Sequence, residues 1–152
     1  MVYDPVRRQI VLFGGLAASG PRENPWVVLG DTWIWNGSSW RKISDGGPEA
    51  RYAHAMAFDR ARGVVVLYGG ATMTAAGETR HLEDMWQWDG DRWTEIRLSG
   101  SPPGKRYSPG MAFDSARGRM VLYGGLEVKT RNEVVTFDDV WEWDGVRWER
   151  IP

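Results

Sequence analysis

Met56-Ala-Phe-Asp59, then Val65-Val-Leu-Tyr-Gly-Gly70, then Asp84-Met-Trp-Gln-Trp-Asp-Gly90 with Trp93 and Ile96 just beyond it, is the stretch that decides the fold. It is written three times. Upstream the same order reads Met1-Val-Tyr-Asp4, Ile10-Val-Leu-Phe-Gly-Gly15, Asp31-Thr-Trp-Ile-Trp-Asn-Gly37, Trp40 and Ile43. Downstream it reads Met111-Ala-Phe-Asp114, Met120-Val-Leu-Tyr-Gly-Gly125, Asp139-Val-Trp-Glu-Trp-Asp-Gly145, Trp148 and Ile151. The glycine pair returns every 55 residues, and nine of the ten tryptophans occupy repeat positions. A regular tryptophan is a packing residue before it is a functional one.

Within each unit the apolar period is two, the mark of strands, and no stretch keeps a helical spacing. Four strands per unit are predicted. In the second unit they run over about 52–58, 64–68, 84–88 and 92–96, with Asp59-Arg-Ala-Arg-Gly63 and Asp89-Gly90 as turns. Gly69-Gly70 ends the second strand, because glycine accepts backbone angles closed to side chains. A four-stranded repeat with a double glycine after strand two and tryptophans on strands three and four is the pattern of a β-propeller blade.

These residues resemble the kelch-repeat family of bacterial, galactose-oxidase-like propellers over essentially the whole chain. The double glycine of that pattern falls on Gly14-Gly15, Gly69-Gly70 and Gly124-Gly125. Its third-strand aromatic falls on Trp33 or Trp35, Trp86 or Trp88, and Trp141 or Trp143, and its fourth-strand tryptophan on Trp40, Trp93 and Trp148. The departure is Trp-x-Trp where the family more often carries Tyr. The expected fold is all-β, a kelch-type β-propeller with blades at 1–50, 51–105 and 106–152.

Three blades do not close a ring, since propellers have typically 4 to 8. Because kelch rings most often have six blades, the expected partner is the chain itself, a homodimer of two half-rings. The first unit lacks the Arg-Tyr that precedes the others at Arg51 and Arg106. Either the chain is a fragment of a longer propeller, or it is a half-ring with two open seams.

Composition narrows the function. Nineteen basic against 20 acidic residues give a net charge of -1, which supplies no field for nucleic acid. Zero cysteines exclude a disulfide framework and the thioether-linked copper site that the galactose-oxidase likeness would otherwise imply. No membrane-spanning run or signal layout is visible, so a soluble chain is expected. No cofactor, metal set or catalytic constellation is predicted, and the chain is read as non-enzymatic. His54 reads as an interior histidine, and His81 with Glu83 makes no recognised metal pattern.

Binding is expected on the face that carries the unlike loops 16–30, 71–83 and 126–138, together with 44–50 and 97–105. Arg51 and Arg106 are predicted at the channel mouth on that face. Family likeness implies acidic-peptide binding there, while the competing reading is an ion pair within the fold. Trp26, the one tryptophan outside the pattern, is either a stacking platform for a sugar or peptide or a lid on its own blade. The basic turn residues Arg7, Arg8, Arg60, Arg62, Arg117 and Arg119 read as solvated turns beside Asp4, Asp59 and Asp114. The expected function is an interaction scaffold that self-associates and takes a protein or acidic peptide, with a carbohydrate-binding or carbohydrate-active propeller as the alternative.

Overall fold

The computed structural model describes residues 1–18, 26–130 and 132–152. They form strands and turns, with no helix among them. Three four-stranded antiparallel sheets follow one another along the chain. The first comprises β1 (Val2–Asp4), β2 (Gln9–Ala18), β3 (Trp26–Trp35) and β4 (Trp40–Ser44). The second comprises β5 (Ala55–Asp59), β6 (Val64–Tyr68), β9 (Met85–Trp88) and β10 (Trp93–Ile96). The third comprises β11 (Gly110–Asp114), β12 (Arg119–Tyr123), β15 (Val140–Trp143) and β16 (Trp148–Ile151).

Between these lie two short hairpins, β7 (Ala71–Met73) with β8 (Thr79–His81), and β13 (Leu126–Thr130) with β14 (Glu133–Thr136). The segments 71–83 and 126–138, expected as loops, therefore each carry a hairpin of two strands. In the first sheet the same extension is continuous, because β2 and β3 stay paired past a register shift at Phe13/Gly15. The physical reason is alternation: Leu126-Glu-Val-Lys-Thr130 and Glu133-Val-Val-Thr136 each fit a pleat and pair with the other.

The repeat register decides the core. Side chains alternate across a strand, so Val65 and Leu67 face one way and Val64, Val66 and Tyr68 the other. The first set packs with Phe58, Trp88 and Trp93 against Val11, Phe13 and Ile34 of the first sheet. The second set packs with Ala57 and Met85 against Met120, Leu122, Trp143 and Trp148 of the third. All five residues of β6 are buried, as expected of a strand covered on both faces. The second sheet is thus sandwiched, while each outer sheet has one face packed inward and one turned away.

Strand β5 begins at Ala55, three residues later than the alternation predicted. Ala53 stands at φ 53°, which breaks the extended run, and Tyr52 instead makes a single bridge to Ala71. The third unit repeats this corner with Ser108 at φ 55° and Tyr107 bridged to Leu126.

Candidate functional site

The chemistry-bearing residues gather at the seams between sheets. Just ahead of the second sheet, the backbone of Arg51 docks on the first: its N–H donates to the Leu29 carbonyl at 3.1 Å, and its carbonyl accepts from Gly15 N–H at 2.9 Å. Arg106 repeats this one sheet along, donating to Leu82 and accepting from Gly70 at 3.0 Å. The approach explains why glycine stands there. A Cβ on Gly14 would meet the Arg51 carbonyl oxygen at 2.6 Å, and one on Gly69 would meet that of Arg106 at 2.7 Å.

Each side chain then turns into its own sheet. Arg51 donates from Nη1 to Asp84 Oδ1 at 2.6 Å and from Nη2 to Oδ2 at 2.7 Å, a two-pronged fork. Nη1 also donates to the Gly69 carbonyl and Nε to that of Glu49. Arg106 grips Asp139 with the same two prongs and donates from Nη1 to the Gly124 carbonyl, but its Nη2 rather than Nε reaches the Pro103 carbonyl, and its guanidinium lies over the Phe137 ring at 4.2 Å. Behind each carboxylate a tryptophan completes the set: Trp86 Nε1 donates to Asp84 and Trp141 Nε1 to Asp139, both at 2.7 Å.

Burial pushes the Asp84 and Asp139 carboxyls up, but the arginine forks and indole donors outweigh it and hold both below the usual carboxylate range. Arg51 and Arg106 are 0% and 1% exposed. The geometry therefore buries both at the seams, with their forks directed at acids within the fold. An arginine on a repeat looks the same in sequence whether its carboxylate belongs to a ligand or stands 33 residues along the chain.

The opposite edge carries a second set of staples. Asp59 caps its own turn by accepting from Ala61 and Arg62 N–H, and it pairs with Arg62 Nη1 at 2.8 Å. The free arm of Arg62 then donates to the Asp144 carbonyl of the third sheet at 2.8 Å. Arg7 reaches the Asp89 carbonyl of the second sheet in the same way. These turn arginines, expected to point into solvent, join neighbouring sheets. A Cβ on Gly90 or Gly145 would run into the arriving arginine, whereas Gly37, at the same turn of the first sheet, has nothing within 4 Å.

Trp26 lies at the start of β3, opposite Ala18, rather than in a loop, and is 48% exposed. Its neighbour Pro25 falls outside the described residues. An indole so open to solvent covers little as a lid. His54 packs edge-on to Phe13 and is driven down to a pKa of about 3, by burial first and the Arg51 charge second, so it is neutral. His81 stacks on Tyr107 at 4.9 Å, and its pKa is lowered by burial. Among the described residues, no group of three metal-ligating side chains converges, and no helix is long and apolar enough to cross a membrane.

No family model matches the chain. It is 29% identical over 134 residues to tRNA wybutosine-synthesizing protein 4 of Emericella nidulans, covering 82% of this chain and 12% of that protein. It is 30% identical over 125 residues to dynein regulatory complex subunit 7 of Chlamydomonas reinhardtii, covering 79% of this chain and 10% of that one. Among solved structures it resembles YjhT, with a TM-score of 0.65 at 12% identity over 90% of this chain and 50% of that chain. The likeness to YjhT is one of fold, and the chain spans about a tenth of the length of the curated relatives it matches.

Proposed function

We propose that this chain is half of a six-bladed, kelch-type propeller and works as a non-enzymatic interaction scaffold whose first partner is a second copy of itself. The observation that carries the reading is the match between the two outward faces. On internal seams a Trp pair of one sheet lies on a valine and an aromatic ring of the sheet before: Trp93 packs edge-on to Phe13 at 5.3 Å and Trp148 to Tyr68 at 5.6 Å. The first sheet turns the same pair, Trp35 and Trp40, away from the molecule, and the third turns away Val121, Tyr123 and Val140. Trp40 is 42% and Tyr123 56% exposed, where their counterparts in the second sheet, Trp93 and Tyr68, are 9% and 0% exposed. Soluble proteins rarely leave such surfaces uncovered. Two copies set head to tail around a twofold axis bring each face onto the other, twice. Alignment of nearly the whole chain with half of a longer chain of similar fold supports the half-ring count.

A second reading is supported by the small share of the curated relatives that the chain spans: the same faces would be covered by further blades of one longer polypeptide. Sedimentation equilibrium separates the two. Closure by a second copy gives twice 17.2 kDa, reduced to 17.2 kDa by Trp40→Lys or Tyr123→Lys but not by Trp26→Lys. A monomer at tens of micromolar for the unaltered chain overturns closure by a second copy and leaves closure within one polypeptide. Ligand contacts in this reading belong to the unlike hairpin ends rather than to Arg51 and Arg106, whose forks are already engaged.

A further inference from the structure

The three sheets repeat one Asp–Trp pair, and among the described residues only two of the three carboxylates are met by an arginine. Trp33 Nε1 donates to Asp31 Oδ2 at 2.8 Å, as Trp86 does to Asp84 and Trp141 to Asp139. In the second and third sheets the remaining oxygen receives Arg51 or Arg106. In the first, Asp31 Oδ1 is buried with no hydrogen-bond partner, and its side chain is 17% exposed. A buried acceptor left bare costs free energy that a fitting donor recovers. Among the described residues the cation beside it is Lys42, whose Nζ stands 3.7 Å from Oδ2 and pairs more closely with Asp45. A lysine held there as a point charge does not reproduce the planar fork that fills the other two sites.

The remaining parts of the site are also present. In both filled sites the guanidinium Nη1 bonds the carbonyl of the first glycine in the pair, Gly69 or Gly124. Gly14 is the matching position in the first sheet, at φ 56° against 65° for the other two. The segment bearing the arginine is seated by the sheet before it, through the second glycine's N–H and a carbonyl across the hairpin base, Gly15 with Leu29 and Gly70 with Leu82. In the third sheet the matching groups are Gly125 N–H and the Phe137 carbonyl. No described residue plays the arginine's part there.

We propose that Asp31, oriented by Trp33, together with the Gly14 carbonyl forms a socket for the guanidinium group of an extended Arg-Tyr segment that comes from outside residues 1–152. The backbone of that segment lies on Gly125 and Phe137 of the sheet facing the socket across the seam. The socket itself stands on the internal repeat. Only the course of the backbone rests on ring closure. The occupant is an arginine-led peptide rather than a metal or a free amine, because both filled examples bind through a bidentate fork and two backbone bonds.

The test uses the chain with an acetylated, amidated heptapeptide of the sequence Pro-Gly-Lys-Arg-Tyr-Ser-Pro, which copies residues 103–109, and its citrulline counterpart. The readout is the Trp33 indole N–H resonance, assigned with Trp33→Phe. The arginine peptide should shift it in a saturable way. Citrulline in the peptide, or Asp31→Asn in the protein, should weaken binding at least about tenfold, as expected for losing a charge-assisted bond. No shift at millimolar peptide, or equal shifts with citrulline, overturns the proposal. Extending the chain ahead of Met1 with the same heptapeptide and one glycine, so that Arg stands five residues before Met1, identifies the source. If the free peptide no longer shifts Trp33 in that chain, the socket is filled from the polypeptide itself. If the free peptide still shifts it fully, the arginine comes from a separate partner. Sedimentation reads ring closure and the indole resonance reads the socket, so either can fail without the other.

Discussion

The first and second sheets are built from the same sequence pattern in the same register, and they differ in how much of that pattern is buried. Trp88 and Trp93 of the second sheet lie tilted against each other at 5.5 Å in the core, with Trp93 Nε1 donating to Thr32 of the first sheet. Trp35 and Trp40 keep nearly the same internal arrangement at 5.7 Å, with no sheet laid over them. The fold of a unit is thus local, whereas its burial is decided by its neighbour. Seams also tolerate substitution unequally. Met85 stands where Thr32 does in the sheet before, and Trp148 Nε1, which would donate to it, is buried without a partner.

The largest test of this difference is a pair of truncations. Trp93→Ala opens a cavity between two sheets and should cost about 3–5 kcal/mol, as for large aromatic side chains in cores. Trp40→Ala removes the tilted contact with Trp35 and should cost about 1 kcal/mol in the monomer. Urea unfolding at concentrations that keep the chain monomeric measures both. Equal losses would mean that the first sheet's outer face is packed after all.

A sharper comparison uses two glycines with one backbone conformation. Gly69 and Gly124 both stand at φ 65°, so alanine carries the same left-handed penalty of about 1–2 kcal/mol at each. At Gly69 the new methyl also meets the Arg106 carbonyl at 2.7 Å, whereas at Gly124 the nearest atom is the Phe137 oxygen at 3.2 Å. Gly69→Ala should therefore be worse by about 1–3 kcal/mol, the range for overpacking. The excess measures the seam alone, and parity between the two variants would remove the arginine docking from the account of why this glycine is there.

A further comparison is in pH. Asp84 and Asp139 are held below their ordinary value of 3.8, so the stability they contribute is present above that value and is lost as pH falls through their lower folded values. Neutral His54, whose ordinary value is 6.5 and whose folded value is about 3, adds an earlier and shallower loss as pH drops below 6.5. The urea midpoint should decline gently from pH 6.5 and steeply below 4. Arg51→Gln with Arg106→Gln should flatten the steep limb and leave part of the gentle one. An unchanged steep limb would place its cause outside the two seams.

Much of this was legible in the residues. Period-two alternation gave β6 as Val64–Tyr68 without error, and Asp-Gly and Asn-Gly gave the turns, because these preferences act within a few residues. The hairpins β7–β8 and β13–β14 were hidden by their unlike sequences, although alternation in Leu126–Thr130 and Glu133–Thr136 was the available signal. The double glycine was found for its backbone freedom, but at Gly14 and Gly69 the atom nearest an added Cβ is a carbonyl from the next unit. No local pattern announces that contact.

The sequence by itself determined that the chain folds as three like sheets of four strands and which side chains share a face, since each follows from short-range backbone preference and a repeating pleat. Only the tertiary structure decided that Arg51 and Arg106 turn inward, that Arg7 and Arg62 cross to the next sheet, and that Asp31 keeps a bare oxygen. Those outcomes depend on what stands across a seam, and an identical residue on an identical strand is core, staple or open socket according to whether a neighbouring sheet supplies the atoms that meet it.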